Sequence, residues 1–315
     1  MVALGGNALA RPGGSLAWDE AVGRMRATAP ALAELVADGH DLILTHGNGP
    51  QVGALLRQVE LAEREVPRRP LSALNAETEG QIGYLIQQEL TPALDRAGAA
   101  RTVLVLVSRV EVSPKDPAFR TPTKPVGRFY SEEEARLLRK REGWQLVFDG
   151  ARGGWRRLVP SPRPVAWLEA SAVRLLMEGP AAHLVVPVVA GGGGVPVVRG
   201  DDGTVQGVDA VIDKDLSSAL VARELRAAAL VIVTDVPAVA LGFGKAWERW
   251  VGATTASEMQ QALEAGEFAE GSMRPKVEAG LEFLANGGER VIITDIPSLR
   301  RAMRNDAGTR ITRGA

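Results

Sequence analysis

Residues 41–53 read Asp41-Leu42-Ile43-Leu44-Thr45-His46-Gly47-Asn48-Gly49-Pro50-Gln51-Val52-Gly53. The apolar run 41–45 is short enough for a buried strand. A turn rich in glycine, with a proline, interrupts it, and an apolar pattern of helical period follows over 50–64. The same strand, turn and helix order recurs outward in both directions. Strands are expected at 1–4, 41–45, 102–108, 184–189, 229–234 and 290–294. Helices are expected near 18–37, 50–64, 76–96, 166–178, 215–227, 255–266 and 273–286. Over 76–96, Ile82, Leu85, Ile86, Leu90 and Leu94 recur near the 3.6 period. This alternation predicts an α/β fold with a mainly parallel sheet covered by helices on both faces. Ligands of such sheets bind beyond the carboxyl ends of the strands.

Those ends carry the informative residues. Gly5-Gly6-Asn7-Ala8 follows the first strand, His46-Gly47-Asn48-Gly49-Pro50 the second, and Ala190-Gly191-Gly192-Gly193-Gly194 the run at 184–189. Glycine lets backbone N–H groups approach an anion closely, and a helix N-terminus behind it favours negative charge. One such turn alone reads as a tight turn; three in one sheet favour a shared anion site. None has the Gly-x-x-x-x-Gly-Lys-Ser/Thr or Gly-x-Gly-x-x-Gly spacing, which argues against a P-loop and a dinucleotide-binding turn. Thr234-Asp235-Val236-Pro237 and Thr294-Asp295-Ile296-Pro297 echo each other and suggest two similar strand-to-helix turns.

The 315 residues suffice for one large domain or two ordinary ones; 45% apolar and 24% charged residues fit a folded, water-soluble chain. A net charge of -1 gives no general attraction to nucleic acid or to an anionic membrane. Cysteine is absent, and His40, His46 and His183 lack metal-ligand spacing, so no protein-held metal centre is expected. With no apolar run of spanning length and no charged leader before Met1-Val2-Ala3-Leu4, a cytoplasmic protein is expected.

Of the 37 basic residues only six are lysine: 115, 124, 140, 214, 245 and 276. A flexible ammonium follows a moving phosphoryl group in a way that a planar guanidinium cannot. All but Lys140 fall in stretches rich in Gly, Pro, Asp or Ser, and these are read as loops. Gly207-Val208-Asp209-Ala210-Val211-Ile212-Asp213-Lys214-Asp215-Leu216-Ser217-Ser218 places Lys214 between two aspartates at a helix start. A solvated helix end is the plain alternative, but its apolar flanks argue for a held lysine. Gly271-Ser272-Met273-Arg274-Pro275-Lys276 puts a second lysine at a helix start, unfavourable unless an anion lies between. Thr121-Pro122-Thr123-Lys124-Pro125-Val126-Gly127 stiffens the chain around Lys124, either as a site residue or as a rigid surface loop. That segment lies within 111–164, where prolines interrupt the alternation. One helix near 131–141 and hairpin strands at 144–148 and 155–159 make it an inserted flap or subdomain rather than a linker.

These stretches resemble the carbamate kinase branch of the amino acid kinase family. The resemblance runs through Ala3 to Leu9, Thr45 to Gly53, Ala76 to Tyr84, Asp116 to Phe119, Pro122 to Gly127, Arg156 to Pro162, 207–218, Thr234 to Val239 and Gly271 to Lys276. The Pro-Thr-Lys-Pro insert separates this branch from acetylglutamate and aspartate kinases. The resemblance implies a three-layer αβα sandwich with a protruding subdomain at 111–164. It also implies an N-terminal lobe, 1–209, for carbamate or carbamoyl phosphate, a C-terminal lobe, 210–315, for ATP or ADP with Mg2+, and a homodimer. By resemblance, Gly5, Gly6, Asn7, Gly47, Asn48 and Gly49 cradle the small anion. Lys214 and Lys276 bind phosphate, Asp215 organises them, Lys124 comes from the subdomain, and Asp235 and Met273 lie on the nucleotide side. Two rivals stay open: a kinase for a larger carboxylate such as acetylglutamate, and a catalytically silent binding module on the same fold.

Overall fold

The computed structural model describes residues 1–6, 16–150, 153–269 and 271–314. Its central sheet is built from β1 (Val2–Leu4), β2 (Leu44–His46), β3 (Thr102–Val105), β4 (Val185–Val188), β5 (Ala229–Val233), β6 (Ala253–Thr255), β7 (Arg290–Thr294) and β8 (Thr309–Thr312). They lie in the order β6-β8-β7-β5-β1-β2-β4-β3. The six expected strands are all here and all mutually parallel; β8, antiparallel to β7, and β6, parallel to β8, close the other edge.

The helices are α1 (Trp18–Ala37), α2 (Gly49–Ala62), α3 (Leu71–Arg96), α4 (Glu132–Glu142), α5 (Ala170–Glu178), α6 (Lys214–Glu224), α7 (Ala256–Glu264), α8 (Met273–Ala285) and α9 (Leu299–Met303). Strand residues alternate between two cores, as a period of two demands. Val231 and Val233 pack with α1, α3 and α9, whereas Leu230 and Ile232 pack with α5 to α8. The result is the expected helix, sheet and helix sandwich. The chain moves from β1 to β2 on one side and returns later to place β5 on the other. The sheet therefore switches direction between β1 and β5, which opens a crevice at their carboxyl ends.

A second sheet, of Val205–Gly207, Val195–Arg199, Arg109–Val112 and Pro164–Trp167, flanks the first. The inserted segment hangs from it. Its three antiparallel strands are Lys124–Tyr130, Gly154–Val159 and Gln145–Asp149, with Gly154–Val159 in the middle, and α4 packs on them. Ser131 and Glu134 form a capping box at the start of α4. Guanidinium groups stack on rings throughout: Arg128 on Tyr130, Arg139 on Trp155, and Arg157 on Trp144. Val126 and Val159 fix the subdomain against Val52, Leu56 and Leu74 of the main body.

Several expectations need correction. Lys124 opens a strand rather than lying in a loop; Lys214 and Lys276 lie in the first turns of α6 and α8, the helix starts read from their local sequence, and so are not loop residues either. Residues 111–112 and 164 belong to the second sheet rather than to the insert. Helix α3 starts at Leu71, five residues before its expected start, and a strand occupies Pro164–Trp167 where α5 was expected to begin. Asp295 leads into α9, but Asp235 leads to the strand Val239–Leu241, so the two turns are alike only at their start.

Candidate active site

Helix α6 begins where Asp213 caps it, its carboxylate accepting the Asp215 N–H at 2.9 Å. The capped first turn then presents Lys214 and Asp215 towards the crevice. Lys214 Nζ donates to one oxygen of Asp215, and Lys276 Nζ, from the first turn of α8, donates to the other at 3.2 Å. Lys276 also donates to the Ser272 carbonyl at 3.2 Å. Burial pushes the Asp215 carboxyl up, but its two ammonium neighbours outweigh that and hold it below the ordinary range. Burial pulls Lys214 below its ordinary value, Lys276 adds to the fall, and Asp215 opposes it. From the subdomain, Lys124 Nζ donates to Asp213 Oδ2 at 2.9 Å. Three ammonium groups thus meet two carboxylates, leaving one net positive charge for an anion.

The glycine turns explain how close these groups come. A Cβ on Gly47 would lie 3.2 Å from Lys214 Cδ and 3.5 Å from the Gly6 nitrogen. A Cβ on Gly5 would lie 2.7 Å from the Val233 carbonyl oxygen, so β1 and β5 could not keep their spacing there with a larger residue. Around them opens a cleft of about 1170 Å³ that includes Gly5, Gly6, Lys214, Asp235, Lys276 and Asp295. Arg24 and Thr28 of α1 form part of its wall.

The expected residues therefore separate into groups. Gly5, Gly6, Gly47, Lys214, Asp215 and Lys276 come together, with Lys124 one residue away through Asp213. Gly49 opens α2, two residues on from Gly47. Asn48 is buried and turns towards α3, donating to Thr78 Oγ1 at 2.8 Å and Asn75 Oδ1 at 3.3 Å. Asp235 lines the cleft, whereas Met273 packs against the hydrophobic core beside it. Asn7 lies outside the described residues.

Sequence reasoning missed the support behind the site. Thr45 Oγ1 and Ser218 Oγ lie 2.7 Å apart, and Ser218 donates to the Lys214 carbonyl at 2.6 Å, tying α6 to the end of β2. Ser217 donates to the Gly193 carbonyl at 2.7 Å. Glu79 is almost fully buried and accepts N–H groups from Ser108 at 3.0 Å and Gly191 at 3.3 Å. Its other oxygen has no hydrogen-bond partner among the described residues. Burial drives its carboxyl well above the ordinary range, further than those N–H donors pull it back. Burial likewise takes His46 down to about 4, so this imidazole is neutral near pH 7. Only its place at a strand end, just before a glycine-rich turn, marked His46 in the sequence.

An α/β sandwich with lysines and glycine turns gathered at its switch point defines a class of anion-handling proteins. The model of the "Amino acid kinase family" matches residues 1–295, and the chain belongs to that family. Among its relatives, the carbamate kinase of Pyrococcus horikoshii is 41% identical, over 99% of this chain and 98% of that protein. The carbamate kinase-like protein YahI of Escherichia coli is 44% identical over the same shares. Among solved structures, carbamate kinase from Giardia lamblia bound to AMP-PNP superposes with a TM-score of 0.91 at 37% identity, covering 99% of this chain and 97% of that one.

Proposed function

We propose that this protein is a carbamate kinase, catalysing carbamoyl phosphate + ADP ⇌ carbamate + ATP. The observation that carries the reading is the cluster of Lys124, Lys214 and Lys276 around Asp213 and Asp215 at the glycine-lined end of β1. Carbamate is already an oxyanion, so the transfer needs no general base. It depends on aligning two oxygens in line with the phosphorus and on neutralising the equatorial charge. One P–O bond to the carbamoyl oxygen breaks as another forms to the terminal phosphate oxygen of ADP. Lys214 and Lys276 supply the charge, Asp215 sets their spacing, and Lys124 adds a third cation from the subdomain. The glycine turns at Gly5, Gly6, Gly47 and Gly49 leave room for the small anion, with Gly47 itself bonded back to the Leu4 carbonyl and Asn48 bracing the turn from α3.

In this reading the nucleotide occupies the side of the cleft lined by Asp235, next to Met273 in residues 210–315, and the small anion belongs to residues 1–209. Among the described residues no group of three or more His, Asp or Glu side chains forms a metal cage. Mg2+ would be carried on the nucleotide's phosphates with its own waters, and Asp235 and Asp295, which line the cleft, are the carboxylates that would hold it. Mg2+ would spread the phosphate charge. The assembly is a homodimer, supported by the uncovered outer strand β3 with its exposed Leu104. No helix among the described residues is long and apolar enough to cross a membrane, and a cytoplasmic location fits that.

The test is a coupled assay of ATP formation from ADP with carbamoyl phosphate, acetyl phosphate or acetylglutamyl phosphate as donor. Turnover with carbamoyl phosphate should far exceed the others. Equal or reversed rates would overturn the assignment.

A further inference from the structure

The Asp213 carboxylate does two jobs at once. Oδ1 accepts the Asp215 N–H at 2.9 Å, which fixes the first turn of α6 and with it the Lys214, Asp215 and Lys276 cluster. Oδ2 accepts from Lys124 Nζ at 2.9 Å, across from the subdomain. The segment before Asp213 is tied to the subdomain a second time: Val211 N–H donates to the Pro160 carbonyl at 3.0 Å, and Val211 packs with Val126 and Val159. The two halves of the site thus share the short stretch 211–213, within which Asp213 makes a side-chain hydrogen bond to each half.

We propose that Asp213 is a positioning residue that seats Lys124 over the reacting phosphoryl group. This rests on the carbamate kinase reading. An ammonium carries three donors. Asp213 takes one, which leaves two on Lys124 directed at oxygens of the transferring group. The carboxylate itself adds a negative charge near an anionic substrate, so it does not aid ground-state binding. Its benefit falls on the transition state, where a misplaced cation is most costly.

The experiment is a double-mutant cycle with Asp213→Asn and Lys124→Ala. Asparagine keeps an acceptor for the Asp215 N–H and loses the charge that holds Lys124, so the fold should persist. Asp213→Asn should lower kcat by about tenfold to a hundredfold, less than the roughly 10²–10³ that loss of a direct transition-state contact costs. KM for both substrates should not rise. The double variant should be no slower than Lys124→Ala alone, because the seat has no purpose without its lysine. Multiplying losses, or a raised KM with kcat intact, would overturn the proposal. Hydrogen exchange without ligands gives an arm independent of turnover. Amides of 124–130 should exchange faster in Asp213→Asn, while those of 214–224 stay unchanged. Unchanged exchange over 124–130 would refute the seat. A wild type that ignores carbamoyl phosphate would refute the function reading instead, leaving exchange to decide the seat.

Discussion

Asp215 and Glu79 are both buried carboxyl groups, and their surroundings send them in opposite directions. Asp215 has an ammonium group on each oxygen and stays ionised. Glu79 has only backbone N–H groups on one oxygen and keeps its proton well above the ordinary value of 4.5. The unfolded chain releases that proton near pH 4.5, so the Glu79 contribution to stability is complete below that pH and declines as pH rises towards the folded value. The decline cannot exceed about 1.4 kcal/mol per pH unit. Glu79→Gln lacks the titration, so the variant should gain stability relative to wild type between about pH 5 and about pH 8. Urea unfolding at the two pH values checks this; a constant gap would mean that Glu79 is ionised in the fold. The lysines could be read from the sequence because an arginine-rich chain kept so few of them. Glu79 could not, since a glutamate in a helical pattern carries no mark of burial. Asp213 was visible only as a helix-start acid, because its second partner, Lys124, lies 89 positions away in the chain.

Elements that pack on both faces were legible, because a strand covered by two cores is apolar along its buried length, as β5 is throughout and β7 is over Val291 to Ile293. The strand Lys124–Tyr130 was hidden by Pro125. It is an outer strand, pairing only with Gly154–Val159, and an edge position tolerates a residue that cannot donate to the ladder. Pro164–Trp167 was hidden in the same way at the edge of the second sheet. Where elements approach most closely, the sequence signal was glycine. Gly5→Ala forces a methyl group against the Val233 carbonyl, a backbone atom that cannot rotate away. The variant should lose about 1–3 kcal/mol of stability, as overpacked sites do. Because β1 and β5 flank the switch point, it should also lower turnover. Thermal unfolding beside kinetics tests the link; a variant as stable and active as wild type would show that the two strands can part without cost.

At the scale of the whole molecule, the main body and the subdomain meet through the small cluster of Val52, Leu56, Val126 and Val159, the contacts at 211–213, and the pairing of Glu60 with Arg128 and Tyr130, of Arg68 with Glu142 and of Glu282 with Arg163. A subdomain with its own core can move as a unit over the cleft, as lids do. If so, phosphoryl transfer and nucleotide binding are separable. Lys124→Ala should reduce turnover strongly, yet calorimetry should find ADP affinity within about twofold of wild type, since the lysine acts on the transition state. Parallel losses would place Lys124 in the nucleotide site. The central sheet has a consequence of a different kind, for biosynthesis. Strand β1 pairs with β2 on one side, but its other neighbour is β5, with Val2 opposite Val231. At roughly 5–20 residues per second on the ribosome, one edge of β1 stays open for on the order of ten seconds or more after it emerges. Until residues 229–233 are made, that buried apolar edge is exposed to other chains in the cell. The yield of folded protein should therefore depend on chaperones that hold nascent chains more than on the final stability of the sandwich.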